Sequence, residues 1–321
     1  MSTPRQITVG HHFPDGLAAL VASCLPEGAR AVRLSSDKPL PIPDDVDVLL
    51  VLPVRAGGAV MPDVAPNGWP YGLKAIQCLS AGIDEYPRWM FTGQPPAATA
   101  SGSTAIFMAE FVMAAMLAFE KAMPAVWIND AAQWATVPLG TLHGKTLGLI
   151  GFGAICQGVA ERALPFGMTV LCHKRSHGPS GMAGVENVSL QSLLAASDHV
   201  VVGTPLTDAT RELINERTLA LCKPGAHFIN VARGGIVNQA ALMAALDAGQ
   251  LAMATLDVTD PEPLPTGHPL YTHPKVRVSA HTSWAGGPSG LDRLKAIITD
   301  NITRFRNGEP MLNPVDPEAG Y

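Results

Sequence analysis

From Thr146 onward, short apolar runs alternate with longer stretches in which apolar positions recur every three or four residues. A strand covered on both faces needs a near-continuous Val/Ile/Leu run, whereas a crossover helix needs only one apolar stripe. The alternation therefore predicts a parallel sheet with helical crossovers. TLGLIG (146–151), MTVLC (168–172), HVVVG (199–203), AHFINV (226–231), MATLDV (253–258) and VRVSA (276–280) are the predicted strands. Ala154–Leu164, Leu190–Ala196 and Gln239–Ala248 are predicted helices between them. Before Ala100 the theme returns less regularly, with ITVG (7–10), AVRL (31–34), VDVLLVLP (46–53) and LKAIQCLS (73–80) as strands among Pro- and Gly-rich loops.

Because the first strand of the long series ends in a glycine turn, the pattern predicts an α/β chain with a doubly wound parallel sheet (Rossmann) as its coenzyme domain. The earlier segment predicts a second α/β domain. A last helix, about Leu291–Asn307, and the tail are assigned to that second domain. The expected division is residues 1–100 plus 286–321 against residues 101–285.

Composition narrows the function classes. The 321 residues are 47% hydrophobic and only 15% charged, which suits compact cores, and a net charge of −5 without any Lys/Arg run gives no footprint for nucleic acid. Five cysteines, scattered and never in a C-x-x-C pair, argue against a disulfide scaffold or a Cys-rich zinc site and favour a reducing compartment. The start MSTPRQITVG lacks the basic and apolar regions of a secretory signal, so a cytoplasmic location is expected. Ala105–Phe119 is strongly apolar but carries Glu110 and falls short of the ~20 residues that cross a bilayer. It is read as a buried helix, and no membrane contact is expected.

GFGAICQG (Gly151–Gly158) follows a predicted strand and opens a predicted helix, the context that gives a G-x-G pattern meaning. Gly151 permits the tight turn, Gly153 lets the backbone approach a pyrophosphate, and Phe152, Ala154 and Ile155 complete the loop onto the positive helix N-terminus. Cys156 stands where the fingerprint has its third glycine, and its thiol is expected to push the helix slightly off the strand, with Gly158 relieving the crowding two residues later. At the end of the second strand, where an NAD site carries Asp or Glu, stand Lys174 and Arg175, followed by Ser176. Two cations and a hydroxyl suit a 2′-phosphate, so NADP(H) is the preferred cofactor and NAD(H) the possible one. A solvated basic loop is the bland alternative.

Three residues follow successive predicted strands on the edge where open α/β sheets bind ligands: Arg233, Glu262 and His281. Singly, they read as a helix cap, a loop carboxylate and a structural histidine. Together, beside a cofactor turn, they read as a catalytic set. No metal is called for by this set.

GKTLGLIGFG, TPLTDATRELIN, KPGAHFINVARGGIVNQAAL, ATLDVTDPEPLP and HPLYTHPKVRVSAHTSW stand in an order that resembles the D-isomer-specific 2-hydroxyacid dehydrogenases, which include glyoxylate/hydroxypyruvate reductases and phosphoglycerate dehydrogenases. LSAGID (Leu79–Asp84) resembles the family's substrate loop, and the resemblance implies that the second domain, which carries it, is flavodoxin-like and binds the substrate. Departures are Cys156, Thr259 in place of a common aromatic, and the basic pair. The resemblance implies that Arg233 grips the substrate's carboxylate and carbonyl, helped by the backbone amides of Ser80, Ala81 and Gly82. It implies that His281 is the proton donor, that Glu262 orients it and favours its charged form, and that Asp257 lies near the nicotinamide carboxamide. Thr204 and Pro205 would line the adenosine side of the cofactor, Val231 and Ala232 the ribose side, and Trp284 the substrate pocket. The residues and the resemblance together imply an NADPH-dependent reductase of small 2-oxo acids to D-2-hydroxy acids, and the resemblance with the apolar helix Ala105–Phe119 implies a homodimer. A phosphoglycerate-type dehydrogenase and a non-catalytic NAD(P)-sensing protein on the same fold are the alternatives.

Overall fold

A computed structural model describes residues 6–176 and 178–321; the first five residues, and His177 of the basic turn, lie outside the described residues. The chain divides into two compact units, Met1–Thr104 with Gly286–Tyr321, and Ala105–Ala285. The first unit runs β1 (Ile7–His11), α1 (Asp15–Cys24), β2 (Ala29–Arg33), β3 (Val48–Val51), β4 (Ala75–Cys78) and β5 (Ala97–Ala98). The second runs α2 (Ala105–Glu120), β6 (Thr146–Ile150), α3 (Ala154–Ala163), β7 (Thr169–His173), β8 (Val185–Asn187), α4 (Leu190–Ala196), β9 (His199–Val202), α5 (Glu216–Leu219), β10 (Ala226–Asn230), α6 (Gln239–Asp247), β11 (Leu251–Leu256) and β12 (Val276–Val278). The chain then returns to the first unit with α7 (Gly287–Asn307), stopped by Gly308 in the left-handed conformation.

In the first unit the strands are all parallel in the order β2-β1-β3-β4-β5, the flavodoxin-like order. Successive residues of β3 take opposite faces: Val48 and Leu50 pack with Val21, Ile298 and Ile302 of α1 and α7, while Leu49 and Val51 pack with Ile76, Met90 and Phe91. In the second unit seven parallel strands lie in the order β12-β11-β10-β9-β6-β7-β8, with the winding reversed between β6 and β9. One face is covered by α2 and α3 through Val112, Met116, Val159 and Ala163. The other is covered by α4 and α6 through Leu193, Leu194, Leu242 and Leu246.

The differences from the expected elements have physical reasons. β5 and β8 are two and three residues long, and β8 (Val-Glu-Asn) has a single apolar residue, so periodicity cannot reveal them. α2 is not wholly buried. Only the stripe Ala105, Met108, Ala109, Val112, Met113, Met116 and Glu120 is covered, while Glu110 is exposed and pairs with Arg162 at 3.5 Å. No helix among the described residues is long and apolar enough to cross a membrane.

The strand starts of the second sheet hold a polar network absent from the expectations. Glu120 Oε1 accepts from Lys145 Nζ at 2.5 Å and lies 3.0 Å from His199 Nε2; His199 meets His227, whose Nε2 lies 2.9 Å from Thr255 Oγ1. Both imidazoles are fully buried, and Phe119 stacks on His227 with ring centroids 4.7 Å apart. Burial pushes His199 down to about 4, Lys145 adding to the drop and Glu120 opposing it; burial and the facing His199 push His227 down to about 3. Below pH 6.5 the unfolded chain takes up protons that these folded imidazoles refuse, so stability is complete above about pH 6.5 and drains away as the pH falls toward the folded values. Each histidine is expected to cost about 1–2 kcal/mol between pH 7 and pH 5. Thermal melts across that range should show the loss, and His227→Phe should flatten the dependence; an equally steep curve in the variant would assign the acid sensitivity to other groups.

Candidate active site

All strands of the second sheet are parallel, and one register row crosses it: His173–Ile150–Val202–Asn230–Leu256–Val278. Residues just past this row therefore emerge on one edge at one level. Gly151 follows Ile150, Gly203 follows Val202, Val231 follows Asn230, Asp257 follows Leu256 and Ser279 follows Val278. The register thus brings the predicted cofactor turn and the predicted catalytic set to the same edge.

The turn after β6 depends on close approach. Gly151 has φ +91°, and a Cβ there would stand 2.9 Å from the Gly203 and Thr204 backbone. Gly153 caps α3, and a Cβ on it would meet nothing within 4 Å. Phe152, Ala154 and Ile155 are half-buried around it. The N-terminus of a ten-residue helix thus opens behind a glycine with free space beside it, a fit for the phosphates of a dinucleotide. Cys156 is fully buried, and burial pushes its thiol up to about 12. Its sulfur fills the place a side chain at position 203 would take, so Gly203 accommodates the thiol. The expectation that Gly158 does so is corrected: Gly158 faces Ala109 and lets α2 pack on α3.

After β7, Lys174 is half-buried and Arg175 and Ser176 are exposed. Asn187 at the end of β8 donates to the Gly178 carbonyl at 2.7 Å and the Ser176 carbonyl at 3.5 Å, tying the basic turn to the sheet. Lys174 and Arg175 line an open groove of ≈ 1070 Å³ with Ser180 and Asn187. Thr204 and Pro205, past β9, are half-buried, and the Pro205 carbonyl accepts from Thr210 Oγ1 at 2.7 Å.

Past β10, the buried Asn230 accepts from the Ala232 amide at 3.0 Å and donates to the Arg233 carbonyl at 2.9 Å, so one carboxamide brackets the turn that presents Arg233. Val231 and Ala232 are buried beneath it, and the Arg233 guanidinium donates to the Ala232 carbonyl at 2.8 Å. Any side chain at Gly234 would overlap the Thr259–Asp260 backbone. That contact sets Arg233 against the loop bearing Glu262. The Thr259 amide donates to Glu262 Oε1 at 3.0 Å, and Glu262 Oε2 lies 2.8 Å from His281 Nδ1. A carboxylate on Nδ1 fixes the ring and assigns proton exchange to Nε2. Trp284 is 53% exposed, and its indole N–H donates to the His281 carbonyl at 2.7 Å. No group of His, Cys, Asp or Glu among the described residues could hold a metal ion.

Ser80, Ala81 and Gly82 belong to the first unit, past the end of β4 at the carboxyl edge of that sheet. Ser80 Oγ donates to the Gly82 carbonyl at 2.8 Å and lies 2.8 Å from the Tyr86 hydroxyl, closing the loop on itself.

Residues 113–283 match the family model described as D-isomer specific 2-hydroxyacid dehydrogenase, NAD binding domain. The chain belongs to the D-isomer specific 2-hydroxyacid dehydrogenases, a family of NAD(P)-dependent oxidoreductases. It is 41% identical over 182 residues to a glyoxylate reductase of Thermococcus kodakarensis, covering 56% of this chain and 54% of that one. It is 36% identical over 184 residues to a D-3-phosphoglycerate dehydrogenase of Bacillus subtilis, covering 56% of this chain and 34% of that one. These matches span about a third to half of those relatives' length. Among solved structures, a D-isomer specific 2-hydroxyacid dehydrogenase of Xanthobacter autotrophicus Py2, in complex with NADPH and MES, superposes with a TM-score of 0.79 at 30% identity, over 99% of this chain and 100% of that one.

The two glycines separate structure from ligand binding in a testable way. Gly234→Ala is expected to cost about 1–3 kcal/mol in a denaturant melt, because backbone must move to admit the methyl group. Gly153→Ala is expected to change stability by less than about 1 kcal/mol while weakening NADPH binding, read by nucleotide fluorescence. Wild-type nucleotide affinity in Gly153→Ala would remove the turn from the cofactor site.

Proposed function

We propose that this protein reduces small 2-oxo acids of the glyoxylate or hydroxypyruvate type to D-2-hydroxy acids with NADPH. The observation that carries the reading is the His281–Glu262 pair at 2.8 Å, placed by sheet register on the edge that also presents Arg233 and the glycine turn. The Arg233 fork can hold a carboxylate and a neighbouring carbonyl oxygen together, which draws electron density from the carbonyl carbon. His281, its Nδ1 held by Glu262, gives the Nε2 proton to that oxygen as it gains charge, and takes it back in the reverse direction. NADPH, when bound at Gly151–Ile155, supplies the two electrons and hydrogen that reduce the carbon. Lys174, Arg175 and Ser176 would hold its 2′-phosphate, Thr204, Pro205, Val231 and Ala232 would line its adenosine and ribose, and Trp284 would bound the substrate. The five cysteines, all free and buried, suit a reducing compartment, the cytoplasm.

An NADPH absorbance assay with a panel of 2-oxo acids tests the reading. Glyoxylate or hydroxypyruvate is expected to rank first, and turnover with phosphohydroxypyruvate alone would move the protein to the phosphoglycerate branch. His281→Gln is expected to lower kcat by ~10²–10⁴. Glu262→Gln should keep some activity while the pH at which reduction fails moves lower, since the imidazole loses an anionic partner. NADPH is expected to be favoured over NADH by about tenfold or more in kcat/KM, a difference of ~1.4 kcal/mol, and Lys174→Ala with Arg175→Ala should erase most of it. Equal use of both cofactors by the unaltered protein would return the basic pair to the role of a solvated loop.

The second unit also supports the homodimer. Between α2 and β6 the chain is exposed from Trp127 to Thr141, and Trp127 and Trp134 are 71% and 84% exposed. With Met123, Ile128, Val137 and Leu139 they show on the order of 600 Å² of apolar surface, at the upper end of what a monomer leaves uncovered and close to the ~800 Å² per partner of a standard interface. A second copy is the proposed cover. Light scattering should give twice the chain mass, and Trp127→Ser with Trp134→Ser should give the monomer; a monomeric native protein would refute the assignment.

A further inference from the structure

The resemblance implies that Asp257 lies near the cofactor, yet the structure ties its carboxylate to the segment that carries His281. Asp257 is 1% exposed and follows β11 directly. Its Oδ1 accepts from Ser279 Oγ at 2.6 Å and from the Thr282 amide at 2.9 Å, and its Oδ2 accepts from the Ser283 amide at 3.0 Å. Its own carbonyl accepts from the His281 amide at 2.8 Å. One residue therefore holds positions 279, 281, 282 and 283. Burial would raise the Asp257 carboxyl, but the hydrogen bonds from Ser279, Ser283 and Thr282 outweigh it and hold the group below the usual carboxylate range.

This anchoring meets a need in the backbone. His281 has φ +48°, a left-handed conformation that costs a residue with a Cβ roughly 1–2 kcal/mol and persists only where surrounding bonds over-determine it. Here the amide of His281 is held by Asp257 from one side and its carbonyl by the Trp284 indole from the other. The conformation in turn sets where the imidazole leaves the chain, and hence its 2.8 Å contact with Glu262.

We infer that Asp257 is a positioning residue for His281, its carboxylate acting as an internal anion that folds the 279–283 turn and aims the imidazole at Glu262. The inference rests on the reading of His281 as the proton donor. It gives the half-buried Ser279 contact and the Trp284 indole contact a shared purpose: each locks the same turn from a different side. Asparagine at 257 would keep the shape but turn an NH₂ group toward a donor and remove the charge that attracts two amides.

The test compares Asp257→Asn and Ser279→Ala with the unaltered protein by four measurements. These are the NMR titration of the His281 ring without nucleotide, the pH profile of kcat/KM, the NADPH dissociation constant and the thermal melt. For Asp257→Asn we expect kcat to fall about tenfold or more, the His281 ring signals to move, and the pH at which reduction fails to drop by about half a unit or more. Ser279→Ala keeps the charge and both amide bonds, so a loss of about two- to fivefold is expected, with ring signals moving the same way and NADPH affinity held within about threefold. Because Ser279→Ala is the milder change, it carries the test should Asp257→Asn fail to fold. Loss of activity solely through a weakened NADPH complex, or solely through a lowered melting temperature, with the His281 titration as in the unaltered protein, would overturn the inference. His281 signals that move in both variants, in a protein whose His281→Gln form still turns over, would support the anchoring and overturn the proton-donor reading instead.

Discussion

The site depends on the parallel register of the seven-stranded sheet. Hydrogen bonds align Ile150, Val202, Asn230, Leu256 and Val278 in one row, and each strand releases its chain into a turn immediately beyond it. A shift of one residue in any strand would send its side chains to the opposite faces and bury the wrong set. The buried clusters on both faces prevent that shift, so packing deep in the sheet fixes the level at which Gly151, Arg233 and Asp257 emerge. The apolar core acts as the ruler and the polar edge is what it measures out.

Much of this was legible in the sequence because parallel strands write themselves as uninterrupted Val/Ile/Leu runs. The six strands predicted after Thr146 each contain or overlap an observed one, and the family assigned from ARGG, DPEP and SAHTSW is the one to which the chain belongs. The rest was hidden because its cause lies in three dimensions. Asn230 ends a largely apolar strand and shows only as one of two polar residues in AHFIN; that it brackets the Arg233 turn follows from the fold alone. Ser279 and Ser283 look like ordinary loop serines until Asp257 is seen between them. The pairing of His199 with Glu120 spans 79 positions and leaves no periodic trace.

The two ends of the second sheet use polar groups in opposite ways. At the strand starts, His199 and His227 are sealed from water and kept neutral, which makes them a structural burden in acid. At the strand ends, His281 keeps 14% of its side chain accessible and has one nitrogen held by a carboxylate. The same residue type thus does opposite jobs within one sheet, and burial is what separates them.

The Cys156 sulfur and the bare Gly203 share one volume between α3 and the end of β9. What is fixed there is the sum of two side chains and not the identity of either. Substitution at one position is therefore tied to the other: alanine at 203 would force the thiol at 156 to move, and meets no such contact once 156 is glycine. The missing third glycine of the phosphate turn has not been lost so much as exchanged across the strand–helix interface.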